Sequence, residues 1–155
     1  MDKSVTHEDF YALAEFRYEI RKFLIVSERI ARTAGLQPQQ YVLLLALRGL
    51  PPEKEPTIVV LAERLQIRHS SAVELISRLA QRGLIRRHRS NNDSRKVFIR
   101  LTRVGEALIE KLVRRRFDEL VSGQPVLVDA LHRIIAAARG IGATKHIGRH
   151  VKEVP

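Results

Sequence analysis

Residues 57–105, TIVVLAERLQIRHSSAVELISRLAQRGLIRRHRSNNDSRKVFIRLTRVG, decide the fold of this 155-residue chain. Behind Thr57 the apolar residues Ile58, Leu61, Ala62 and Leu65 recur at three- and four-residue steps, which predicts a short helix beginning near Thr57. Ile67 to Ser70 read as a turn. A second helix is expected over 70–81, burying Val73, Ile76 and Leu79 or Ala80 and broken by Gly83. Leu84 and Ile85, and then the alternation of Val97, Ile99 and Leu101, read as two strands of a hairpin. Its polar tip is Ser90, Asn91, Asn92, Asp93 and Ser94.

The same stretch holds most of the charge. From Arg68 to Arg103 ten Lys and Arg face two acids, Glu74 and Asp93, so that +8 of the chain's net +11 sits here. Residues 1–67 balance nine cations with nine acids, residues 104–138 balance five with five, and residues 139–155 carry four against one. An even spread would argue only for solubility. Charge gathered on one substructure argues for a polyanionic partner, of which nucleic acid is the commonest.

On the N-terminal side, Phe10, Leu13, Phe16, Ile20, Phe23, Leu24, Ile30 and Ala31 mark one face of a long helix over 6–34. Thr6 and Asp9 have the spacing of a capping box, and Gly35 ends the run. Pro38 opens a helix that turns Tyr41, Leu44, Leu45 and Leu47 inward. Gly49, Leu50, Pro51 and Pro52 stop it, and 51–56 is a charged connector. On the C-terminal side a helix runs from Val104 or Gly105 to about Val121, is interrupted at Gly123 to Pro125, and is followed by another that uses Val126, Leu127, Leu131, Ile134, Ile135 and Ala138. Residues 140–155 read as a flexible basic tail.

The chain is 45% hydrophobic and 29% charged, as in a folded globular protein, and its length suits a single domain over 1–155. It has no cysteine, which removes disulfides, thiol redox switches and thiolate metal sites. No apolar run approaches the roughly 18–20 residues of a membrane span, and no signal-peptide core follows Met1, so a cytoplasmic protein without membrane contact is expected. The six histidines lack metal-ligand spacing; His146 and His150 are four apart without a third ligand nearby. No metal or cofactor is expected. Nor does the chain offer a G-x-S-x-G, a phosphate-binding glycine loop or paired carboxylates in an apolar setting, so an enzyme is not expected.

Short helix, turn, helix and hairpin is the order of a winged helix-turn-helix, covering 38–103. The fold class is mainly α with a small β-hairpin wing. In this arrangement the second helix enters the major groove, about 12 Å wide, and the hairpin reaches the neighbouring backbone or minor groove. The helix offers Arg68, His69, Ser70, Ser71, Glu74 and Arg78, and the hairpin offers Arg86, Arg87, Arg89, Asp93, Arg95, Lys96 and Arg100. Asp93 either aims the Arg95 guanidinium at a narrow groove or only favours the turn. Arg86, Arg87 and Arg89 are divided between phosphate contact and an ordinary solvated strand face.

The residues Leu61, Ala62, Glu63, Arg64 and Leu65, then Ser71, Ala72, Val73, Leu75, Ile76, Arg78 and Leu79, then Gly83 to Arg87, Asp93, Ser94, Arg95, Leu101, Thr102 and Gly105 resemble the MarR (multiple antibiotic resistance regulator) family of bacterial transcription factors. The D-x-R at the hairpin tip and the L-T-x-x-G that follows are its most specific parts. The sequence departs from the family pattern where Arg68 and His69 occupy the first turn of the second helix, whose dipole disfavours cations. Either Ser70 caps a later start, or a bound phosphate tolerates the charge. Val59 and Val60 also replace an outer polar residue, which is expected to bury them against the connector or hairpin.

The resemblance implies that the helices at 6–34 and 104–139 are dimerisation helices, and that a homodimer reads a pseudo-palindromic operator in double-stranded DNA. It also implies a small anionic or phenolic effector, with Tyr11, Phe16, Arg17, Arg21, Tyr41 and Leu44 as candidate lining and Arg17 or Arg21 as the anion partner. The alternative is that these aromatics are core and these arginines surface. A sequence-specific regulator, usually a repressor in the family, is thus weighed against a non-specific or architectural nucleic-acid-binding winged-helix protein.

Overall fold

The computed structural model describes residues 4–90, 93, 95–122 and 126–147. In chain order the elements are α1 (His7–Thr33), α2 (Pro38–Arg48), α3 (Ile58–Leu65), α4 (His69–Gln81), β1 (Ile85–Arg89), β2 (Val97–Leu101), α5 (Arg103–Ser122) and α6 (Val126–Ile147). They divide into two compact units, one of residues 27–121 and the other of the residues before 27 and after 121.

The unit 27–121 is built around one apolar centre. Ile30, Leu36, Leu43, Leu44, Leu61, Ile76, Leu79, Ile99 and Ile109 are its largest fully buried side chains. Each such side chain contributes about 1.5–3 kcal/mol when taken fully out of water. Local chemistry sets the boundaries. Gly35, at φ +70°, turns the chain out of α1, and Pro38 opens α2, where Gln37 N donates to Gln40 Oε1 at 3.0 Å. Val60 N donates to Thr57 Oγ1 at the head of α3, and Gln66 closes that helix in the left-handed region at φ 54°.

The inward face of α4 is rotated from the expected one. It buries Ala72, Leu75, Ile76 and Leu79, while Val73 and Ala80 are only half-buried. Small Ala72 lets α4 approach its neighbours closely, and a reading by residue size passes over it. The same correction applies to α2, where Leu43 lies inside and Leu45 is 39% exposed. Val59 is not buried at all, being 64% exposed on the outer side of α3.

β1 and β2 pair antiparallel, with Ile85 opposite Leu101, Arg87 opposite Ile99 and Arg89 opposite Val97. A third short edge joins them, since Thr57 bridges Phe98 and Ile99 N donates to Pro56 O at 2.7 Å. The L-T-x-x-G sequence then acts as a latch. Thr102 N donates to Leu84 O at 3.0 Å, Thr102 Oγ1 donates to Gly83 O at 2.7 Å, and Gly105 N donates to Thr102 Oγ1 at 3.1 Å. A Cβ on Gly105 would lie 2.0 Å from Leu84 O, so only glycine permits this approach.

The second unit is different in kind. Thr6 and Asp9 close the capping box at the head of α1, with Thr6 N donating to Asp9 Oδ2 at 2.8 Å and Asp9 N to Thr6 Oγ1 at 3.3 Å. Among the described residues its buried apolar side chains are Ala12 and Ala130. Phe10, Leu13, Tyr18, Leu24, Ile25, Val128 and Leu131 are 41–64% exposed. The expected tail is corrected in part, because α6 runs through Gly140 to Ile147. A helical glycine costs about 1 kcal/mol relative to alanine, which the good helix formers Ala136, Ala137, Ala138 and Arg139 just before it can outweigh. The expected break at Gly123 to Pro125 and the tail beyond 147 lie outside the described residues.

Candidate nucleic-acid interface

The inward stripe of α4 fixes what the helix shows outside. With Ala72, Leu75, Ile76 and Leu79 against the core, Arg68, His69, Ser70, Ser71, Glu74 and Arg78 are all exposed. Ser70, Glu74 and Arg78 stand four residues apart in one row, and Glu74 pairs with Arg78 along it. This row presents a hydroxyl, a carboxylate and a guanidinium, the groups that hydrogen-bond base edges.

The head of α4 resolves one of the two alternatives posed by its cations. The helix begins at His69 with Arg68 as N-cap and no side-chain hydrogen bond to the cap, so Ser70 does not start it. Arg68 and His69 stand exposed at a turn whose first backbone N–H groups have no partner within the helix.

Strand alternation sorts the hairpin arginines. Arg87 projects toward α4, and its Nη2 donates to Ser77 Oγ at 2.7 Å, tying the wing to that helix. Arg89 lies on the same side as Arg87, while Arg86 and His88, opposite Arg100 and Phe98, take the other. Of the three arginines grouped together in the sequence, Arg86 thus faces away from α4.

At the tip, Asp93 fixes the turn and stands near the Arg95 guanidinium. Its Oδ1 accepts from Arg95 N at 3.0 Å, fixing the turn, and lies 3.6 Å from Arg95 Nε, which biases the guanidinium without a full hydrogen bond. The Arg95 side chain remains 93% exposed. Lys96 is more occupied. Its Nζ donates to both carboxylate oxygens of Glu55, at 3.2 and 2.9 Å, and this pairing raises the Lys96 pKa. Nothing local in the sequence foretells a pair 41 positions apart.

Arg82 is a positioning residue that charge reading did not single out. Its Nη1 donates to Gly35 O at 2.9 Å and to Gln40 Oε1 at 3.0 Å, anchoring the C-terminus of α4 to the corner between α1 and α2. A lone arginine just past a helix end carries no sequence signal of that partnership.

The candidate effector residues are not gathered within one unit. Tyr41 and Leu44 are core residues of the unit 27–121, and burial raises the Tyr41 pKa against the smaller opposing influence of Arg116. Tyr11, Arg17 and Arg21 are exposed on the N-terminal half of α1, and Phe16 is half-buried there. Among the described residues no cluster of three His, Asp or Glu could hold a metal ion, and no helix is long and apolar enough to cross a membrane.

A helix-turn-helix buttressed by a two-stranded wing, with its cations on the exposed side of the second helix and along the wing, defines a winged helix-turn-helix fold. Residues 34–96 match the model of the MarR family. Solved structures share the fold. A MarR family protein from Bacillus stearothermophilus is 21% identical with a TM-score of 0.68, over 88% of this chain and 97% of that one. An S. aureus MepR mutant bound to an oligodeoxyribonucleotide is 22% identical with a TM-score of 0.60, over 86% and 94%. Bordetella bronchiseptica BpsR, whose DNA binding is regulated by 6-hydroxynicotinic acid, is 22% identical with a TM-score of 0.58, over 77% and 86%.

Proposed function

We propose that the chain works as a homodimeric, sequence-specific regulator of the ligand-responsive repressor type, acting in the cytoplasm on double-stranded DNA. The observation that carries this reading is the exposure, within residues 68–96, of a polar row on α4 beside cations along the wing. Ser70, Ser71, Glu74 and Arg78 read base edges in the major groove, while Arg68, His69, Arg87, Arg89, Arg95 and Lys96 meet phosphate or the minor groove. Asp93 orients Arg95. The uncapped head of α4 favours a phosphate against Arg68 and His69, because free N–H groups and the helix dipole both attract an anion.

Lys96 and Arg78 already hold carboxylate partners, so binding exchanges Glu55 and Glu74 for phosphate or base atoms. The exchange lowers the gain from each cation and leaves more of the affinity to fit. A second copy supplies the cover that the exposed apolar faces of α1 and α6 lack, and two-fold symmetry then sets the two α4 helices about one duplex turn, roughly 34 Å, apart. The MepR and BpsR structures lend support by analogy of fold.

Gel-shift titration against random duplex and genomic fragments tests this. A specificity ratio of about 10³ or more is expected. A ratio near one would replace the regulator with a non-specific architectural protein.

A further inference from the structure

On the face of the wing away from α4, the structure holds a cationic cleft with no part in the interface described above. Its volume is about 440 Å³, and it is walled by the end of α2, the proline-rich connector, the outer side of the hairpin and the head of α5. Arg48, Lys54, Arg86 and Arg100 line it against one acid, Glu106, while Leu50 and Pro52 contribute apolar surface.

Arg86 and Arg100 are directly opposite each other in the strand register, which sets their Cβ atoms about 4.5–5.5 Å apart on one face. Like charges in that position destabilise a hairpin. Nearby acids do not relieve them. Glu55 is engaged by Lys96, Glu110 by Arg114, and Glu106 alone reaches the cleft. Among the described residues neither arginine makes a side-chain hydrogen bond or ion pair with the protein.

We infer that this cleft binds a small organic anion, an aromatic or aliphatic carboxylate whose charged end bridges Arg86 and Arg100 and whose apolar body lies on Leu50 and Pro52. The volume is within the usual range for small-molecule sites, and Pro51, Pro52 and Pro56 hold one wall in shape before binding. An anion there also cancels the cross-strand repulsion, so it stiffens the base of the wing whose tip carries Arg95. The binding stands apart from the regulator reading; only an effect on DNA affinity rests on it.

The test is an NMR titration of the full chain, without DNA, using 2-naphthoate as probe and neutral 2-naphthamide as control. Saturable shifts at Leu50, Ile99, Arg100 and Leu101 are expected with 2-naphthoate alone, and Arg100→Gln should weaken binding at least fivefold. Because that substitution removes a like-charge neighbour, the variant should melt no lower than the parent, which separates lost binding from lost folding. Shifts confined to α1 and α6, equal binding of the amide, or unchanged affinity in Arg100→Gln would overturn the inference. So would a tenfold loss of DNA affinity in the probe-free Arg86→Gln, Arg100→Gln double variant, because the cleft would then be a phosphate contact.

Discussion

The unit of residues 27–121 buries a core of large aliphatic side chains, whereas the unit built from the two ends of the chain leaves most of its own exposed. In the first, nine large apolar residues are fully buried among the described residues. In the second, the described buried apolar residues are two alanines, and Phe10, Leu13, Leu24, Ile25 and Leu131 meet solvent. The first closes around its own core and carries most of the net charge, although Val59, Val104, Phe117 and Val121 also stand exposed on it. The second leaves an apolar surface exposed, for which a second copy is the proposed cover; a stable interface needs about 1,200–2,000 Å². On the proposed function, recognition and assembly are separated along the chain, and substitutions should separate them too.

The largest effect is expected from Leu131→Asp. It adds a charge to a side chain already 41% exposed in the single chain, so folding of the unit 27–121 should be unchanged while the dimer dissociates. Loss of the second half-site should lower operator affinity on the order of 100-fold or more. Sedimentation velocity checks the mass, and a variant that stays dimeric would place the interface elsewhere.

Gly105→Ala attacks the other unit. Its methyl group would collide with the Leu84 carbonyl, and forced repacking of this kind costs about 1–3 kcal/mol, which urea unfolding would register as a lower midpoint. An unchanged midpoint would mean that the latch between α5 and the wing yields freely. Arg95→Ala probes recognition alone. Its exposed side chain supports little of the fold, so affinity should fall about tenfold with the melting temperature unmoved. Equal affinity would remove Arg95 from the interface.

The smallest effect concerns pH. Burial raises the Tyr41 pKa above its ordinary value near 10, so the stability it contributes is intact below that value and lost as pH rises through the folded-state pKa. Tyr41→Phe should therefore flatten the loss of stability above about pH 10. An equally steep alkaline decline in the variant would assign the titration to another group.

What the sequence disclosed of these two units follows from the range of the interactions involved. Periodicity located the helices and hairpin because amphipathic spacing is local, and Thr57, Gly35 and Pro38 marked boundaries through their own backbone chemistry. The D-x-R group was legible because it acts within its own turn, and L-T-x-x-G only through the family resemblance, since its latch reaches Gly83, 19 positions back. The orientation of α4 was less so, since Ala72 is buried for its smallness rather than its hydrophobicity. Long-range partners left no trace at all. The Glu55 hold on Lys96 and the grip of Arg82 on Gly35 and Gln40 join residues more than 40 positions apart. Net charge counted Arg86 and Arg100 together with Arg95, yet strand alternation sends the first two to the face away from α4.

Selection of bound duplexes from a random library, read by sequencing, tests the central claim most directly. A self-sufficient reading unit carried twice by a two-fold assembly predicts an inverted repeat with half-site centres about 10 base pairs apart. A single unrepeated site, or no enriched sequence, would contradict it.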